Sequence, residues 1–193
     1  MRKFLVVGVV SLLAALALPS LAFATHSNGQ GPAQDFLSGS AKGPIATPFG
    51  AQPGHFHSNG QAQDNVTNVA TGHFFTDIFF DPPAFGVYVQ ASFSGDVQCV
   101  NSSTVPANAA NWSAEVTDVV LTDTAGQKQP GIPGILFPGM GIVSRHVDTS
   151  PTAPDSALGF TTPTPVPCSH PALSTPFGTF PITQGNLITH AGL

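Results

Sequence analysis

At 193 residues the chain suits one domain. Only 8% of its residues are charged, against about 25% in an ordinary soluble domain, and its formal net charge is −5. Five cations, two of them Arg2 and Lys3, cannot neutralise a run of phosphates, so nucleic acid and anionic membrane surfaces are excluded as partners.

Residues 1–24 read as a secretory signal. Arg2 and Lys3 form a basic start, and residues 4–18 are apolar but too short to span a membrane. Ala22-Phe23-Ala24 fits small-x-small cleavage, expected after Ala24. The mature chain is then expected to be secreted or extracytoplasmic and to lack a membrane span. It keeps three cations, Lys42, Lys128 and Arg145, against ten acids.

With 20 Gly, 19 Pro and a single Glu (Glu115), the remainder lacks the residues that helices need on exposed faces. The expected class is all-β: a small antiparallel β-barrel or β-sandwich of roughly six to nine strands. Residues 25–52 are rich in Gly, Pro, Ser and Gln and read as a flexible N-terminal arm. A single β domain is expected over residues 53–193. Gly54-His55-Phe56-His57 reads as a short strand ended by a turn at Ser58-Asn59-Gly60.

Residues 69–80 alternate. Ala70, Gly72, Phe74, Thr76, Ile78 and Phe80 share one face; His73, Phe75, Asp77 and Phe79 share the other. Phenylalanines on both faces predict a strand covered, at least in part, on both sides. Asp81-Pro82-Pro83 stops it, and the next strand follows at once, which predicts an antiparallel hairpin. Residues 85–100 carry the clearest alternation: Phe85, Val87, Val89, Ala91, Phe93, Gly95, Val97 and Cys99 on one face, polar residues opposite. Its unbroken parity predicts one long strand bent near Gly95, or a hairpin with an odd-numbered loop.

A loop is expected over residues 101–111. A strand follows over residues 112–121, with Trp112, Ala114, Val116 and Val120 inward. Asp118 interrupts that face and predicts a strand end or an outward bulge. Residues 142–147 read as a further strand. Residues 149–181 contain eight prolines and read as irregular coil. Residues 182–190 read as a closing strand, with a turn or bulge at Gln184-Gly185-Asn186.

Cys99 and Cys168 are the only thiols of a chain read as exported, so a disulfide is expected, tying the central strand to the proline-rich segment. His55-x-His57 puts two imidazoles on one strand face. With His73 and His146 they form a candidate Zn or Cu site, against the plainer reading of solvated histidines. Asp96 and Glu115 are expected on polar faces, and no spacing requires them to act as a pair. No nucleophile elbow, phosphate loop or dinucleotide fingerprint occurs. Asn65, Asn101 and Asn111 begin glycosylation sequons, expected at exposed positions. Phe74, Phe75, Phe79, Phe80, Phe85 and Phe93 are enough to line a lipocalin-like apolar cavity, although an ordinary core uses the same residues.

The strand Phe93–Cys99, the later Cys168, the closing Gly185-Asn186-Leu187-Ile188-Thr189-His190 and the upstream Gly72-His73-Phe74 together carry a resemblance. Over residues 54–190 the chain resembles small exported, mainly bacterial β-rich proteins of no established function. The proline-rich insertion over residues 151–181 departs from that pattern. The resemblance implies export and a compact β fold, and no activity. The leading expectation is a non-enzymatic binding or envelope-associated structural module contacting cell-envelope polymer, glycan or protein. A metal-binding protein or metal-dependent enzyme, and a carrier of an apolar ligand, are the alternatives.

Overall fold

The computed structural model describes residues 35–63, 66–102, 108–149, 153–175 and 178–190. The expected signal segment lies outside the described residues. Ten strands form one antiparallel sheet: β1 (Phe36–Thr47), β2 (Gly50–Ala62), β3 (Ala70–Ala84), β4 (Tyr88–Asn101), β5 (Ala109–Asp123), β6 (Lys128–Pro130), β7 (Gly141–Val147), β8 (Ser156–Thr162), β9 (Phe180–Pro181) and β10 (Gln184–His190). The spatial order is β10-β1-β2-β3-β4-β5-β7-β8-β9, with β6 pairing β5 outside this path. The sheet curls into a half-barrel, so the expected all-β class holds, with ten strands rather than six to nine. No helix among the described residues is long and apolar enough to cross a membrane.

The expected hairpin of residues 69–100 is present as β3 and β4, with the predicted faces. Phe74, Ile78, Ala91, Phe93 and Val97 are buried on the concave side, and His73, Phe75, Phe79 and Asp96 are exposed on the convex side. Phe75 and Phe79 are therefore not covered, contrary to the two-sided burial expected of β3. Residues 88–101 form one strand, and Phe85 and Gly86 make the turn before it.

Bulges decide where the polar and apolar positions of this region end up. Between β4 and β5 the register shifts at Thr117, which turns Asp118 outward and puts Val119 and Leu121, rather than Val120, inside. A second shift at Gln98 reverses the parity of β4. Val97 and Val100 join the concave core with Trp112 and Ala114, and Cys99 faces the opposite side against Val143 and Leu173. The parity over residues 85–100 thus breaks twice, at Gln98 and at a further register shift at Val89, which puts Tyr88 on the concave side with Ala91 and Phe93.

Gly95 sits where β5 crosses close to β4. A Cβ there would lie 1.8 Å from the Glu115 carbonyl oxygen and 2.8 Å from the Phe74 ring. Backbone cannot yield as a side chain tip can, so Gly95→Val is expected to cost at least about 1–3 kcal/mol. A urea midpoint equal to that of the wild type would contradict this.

The arm expected over residues 25–52 is corrected from Phe36 onward. β1 pairs β10 over Phe36–Lys42 and β2 over its whole length. The short strand at His55 is the middle of a 13-residue β2 that runs through Ser58-Asn59-Gly60 without turning. The coil expected over residues 149–181 contains β8 and β9, and Gly185 is paired within β10.

Residues 163–175 cover the convex side of β5 and β7. Val166, Cys168, Ala172 and Leu173 pack on Cys99 and Val143. Cys99 and Cys168 form the expected disulfide, with their Cα atoms 5.3 Å apart. Asn111, fully buried, donates from Nδ2 to the carbonyls of Ala172, Leu173 and Thr175, and its Oδ1 accepts from Arg145 Nη1 at 3.0 Å. These bonds satisfy the carbonyls of a segment that has no ladder of its own. With this cover outside and the core inside, every residue of β7 is buried.

The ends of the sheet meet through Asp155 rather than through a ladder. Its carboxylate accepts from Leu187 N of β10 and from Thr149 N, and its carbonyl accepts from Ile182 N.

Candidate functional site: an apolar cavity in the half-barrel

The concave side is packed at one end and hollow at the other. Leu37, Ala62, Ala70, Phe74, Val97, Val100 and Ala110 fill the packed end. The hollow end is a cavity of about 660 Å³ beneath the tips of the β1–β2 and β3–β4 hairpins and the loop after β6. That volume lies within the ~300–1,000 Å³ of ordinary ligand pockets and far exceeds the packing voids of a core.

Each wall has a local cause. The concave positions of β3 and β4 supply Ile78, Phe80, Ala91 and Phe93; β5 and β7 supply Trp112, Leu121, Ile142 and Ser144. Small residues at β1 and β2 positions facing the barrel, such as Gly43 and Gly54, let Ile45 and Phe56 form the opposite wall. Among the described residues, polar lining is limited to Thr47, Thr76, Tyr88, Ser144 and Thr161, and no Asp, Glu, His, Lys or Arg lines the cavity.

Aromatic and aliphatic side chains surround the mouth. Phe49, at the tip of the β1–β2 hairpin, lies edge-to-face on Phe85 with ring centroids 4.8 Å apart, and on Phe80 at 6.0 Å. Phe49, Phe85 and Ile135 are 42%, 55% and 48% exposed, so apolar surface is presented to solvent where the cavity opens. Phe85 has φ +51° and Gly86 φ +71°, the consecutive positive values of a tight hairpin turn. Asn, Asp or Gly suits the first of these positions; a phenylalanine there is strained. The strain is held by the stack on Phe49, and it delivers the ring to the mouth.

The candidate metal site is corrected. His55 and His57 are on the exposed convex side of β2, and His73 on that of β3. His146 is on the opposite, concave side, 1% exposed, between the rings of Phe56 and Trp112 at centroid distances of 5.6 and 5.4 Å. No three His, Cys, Asp or Glu side chains among the described residues come together in a way that could hold a metal ion. Burial pushes the pKa of His146 down to about 3, so it is neutral near pH 7.

Asp96 and Glu115 do fall opposite one another in the β4–β5 register. Asp96 is engaged by His73 Nδ1 at 2.8 Å, and Glu115 accepts from Gln98 Nε2 at 2.9 Å. This row lies on the convex face, with Asp96 exposed to solvent. Asn101 and Asn111 are 5% and 0% exposed, so these two sequons are closed to glycosylation in the folded chain; Asn65 lies outside the described residues.

Of the phenylalanines singled out in the sequence, Phe80, Phe85 and Phe93 line the cavity, Phe74 packs in the filled end, and Phe75 and Phe79 face solvent. Phe49, Phe56 and Trp112 escaped sequence reasoning as lining residues. Phe49 and Phe56 fall in stretches that read as an arm and a short strand, and Trp112 reads only as an inward residue of its strand. Comparison of the chain with protein-family models, with curated proteins and with solved structures finds no match.

Proposed function

We propose that the chain is an exported, non-enzymatic binding protein that holds an apolar ligand in the cavity of its half-barrel. The observation that carries this reading is an unfilled space of about 660 Å³ lined by apolar and neutral polar side chains and rimmed by exposed Phe49, Phe85 and Ile135. A chain selected only for stability fills such a space, because unfilled apolar volume forfeits packing. The export reading is supported by the N-terminal sequence and by the disulfide, a bond of oxidising compartments. Glycan or envelope polymer, expected from the weakly charged surface, suits this cavity poorly, since sugar hydroxyls need a dense polar lining.

Trp112 is the single tryptophan and lines the cavity, so its emission reports occupancy. Titration with N-phenyl-1-naphthylamine is expected to quench Trp112 and to raise probe emission saturably. Ala91→Phe and Thr76→Phe each place a ring in the space and are expected to weaken the probe by about tenfold or more, equivalent to about 1.4 kcal/mol. Thermal melts identify any variant that fails for want of folding. No saturable signal with the wild-type chain would sink the proposal.

A further inference from the structure

The charge distribution around the cavity narrows the ligand class. The cations among the described residues are Lys42, Lys128 and Arg145, and none lines the cavity. Lys42 and Lys128 are exposed on β1 and β6. Arg145 is on the convex side of β7, bonded to Asn111 beneath the covering segment. Among the described residues no imidazole and no carboxylate lines the space either. An anionic head group drawn inside would lose its hydration and gain no counter-charge, and a cationic one would fare no better. The neutral hydroxyl-bearing residues Thr47, Thr76 and Tyr88, in contrast, suit an alcohol, ester or ketone oxygen.

Resting on the reading of the cavity as a ligand site, we infer that its ligand is an uncharged lipid: a mainly hydrocarbon molecule with neutral oxygen functions, rather than a fatty acid or a charged amphiphile. A 150 Å³ cavity accepts benzene, so about 660 Å³ accommodates about 25 non-hydrogen atoms, the size of a long-chain alcohol or ester or of a fused-ring alcohol. Phe49 and Phe85 at the mouth extend the apolar contact along the molecule as it enters. Selection against ionised head groups comes from what the lining lacks, since an unpaired buried charge penalises the wrong ligand more than any added contact favours the right one.

The test displaces bound N-phenyl-1-naphthylamine from the purified chain at pH 8 with 1-dodecanol below its solubility limit, or with dodecanoate or dodecyltrimethylammonium below their micellar concentrations. Dodecanol is expected to displace the probe at concentrations at least tenfold below those needed for either ion. Thr76→Lys, which puts an ammonium on the cavity wall, is expected to reverse the order of dodecanol and dodecanoate. Equal or better displacement by dodecanoate from the wild-type chain overturns the inference, as does a bound probe that dodecanol cannot displace. If the probe itself does not bind, the cavity reading has failed, which is a different result from a bound probe released best by an ion.

Discussion

Lowering the pH from 7 to 5 is expected to destabilise the protein by about 2 kcal/mol through His146 alone. The imidazole is enclosed between Phe56 and Trp112, and burial holds its folded pKa at about 3, against 6.5 when unfolded. The unfolded chain therefore binds the proton that the folded chain refuses between those values. The full contribution is present above about pH 6.5, and it falls by about 1.4 kcal/mol per pH unit as the pH drops toward 3. Its total over that window is about 5 kcal/mol, a large share of the ~5–15 kcal/mol that holds a domain together. Nδ1 of His146 has no hydrogen-bond partner, so an apolar ring can replace the imidazole without stranding one. His146→Phe is expected to match the wild type at pH 8 and to lose most of the slope between pH 6.5 and 5. Urea denaturation across that range measures both slopes, and parallel slopes would place the acid sensitivity elsewhere.

Removing the Cys99–Cys168 bond is expected to lower the melting temperature by about 10 °C. The two residues are 69 apart in sequence, and releasing a loop of that length restores chain entropy worth about 4 kcal/mol on the loop-closure model. The bond also fastens the segment that closes the outer side of β5 and β7. Without it, Val166 and Leu173 stay over Val143 through their own burial, the three carbonyl contacts of Asn111 and the Ser113 hydroxyl on the Val166 carbonyl. Amide exchange is accordingly expected to rise first at residues 166–175 and along β7, ahead of β3 and β4. Calorimetry of Cys99→Ala/Cys168→Ala beside the oxidised wild type tests the magnitude, and exchange mass spectrometry tests the order. A variant melting within about 2 °C of the wild type would show that packing alone holds the cover.

Both effects have the same structural origin. β7 and the first part of β5, Ala109–Ala114, are buried on their two faces, one on the concave side of the half-barrel and the other beneath a proline-rich strap. The concave side contains His146 and the cavity; the convex side contains Cys99, Asn111 and Arg145. This double cover lets the sheet keep an unfilled space, because the strands around it are fixed from behind.

Features that arise from near neighbours along the chain were legible in the residues alone. Alternation in β3, most of β4 and the first part of β5 follows directly from side chains pointing to opposite faces. Few charges and many Gly and Pro residues leave little else than strands and turns. Two cysteines in a chain read as exported pointed to their own pairing. The tertiary structure decided what depends on distant partners. β1 was hidden because Gly39, Ala41 and Gly43, in the middle of its concave face between Leu37 and Ile45, carry almost no hydrophobic signal, yet small residues are what a tightly curled sheet accepts there. The extra residues at Gln98 and Thr117 reversed the faces of Cys99 and Asp118, since a bulge is a mismatch between two strands and neither strand contains it alone. The four histidines separated because His146 falls on the concave side of β7, whereas the other three fall on the convex side of β2 and β3. The phenylalanines allowed a cavity as readily as a filled core, and Phe80, Phe85 and Phe93 do line one; its volume is the part of the concave side left unfilled when strands far apart in the chain curl around it.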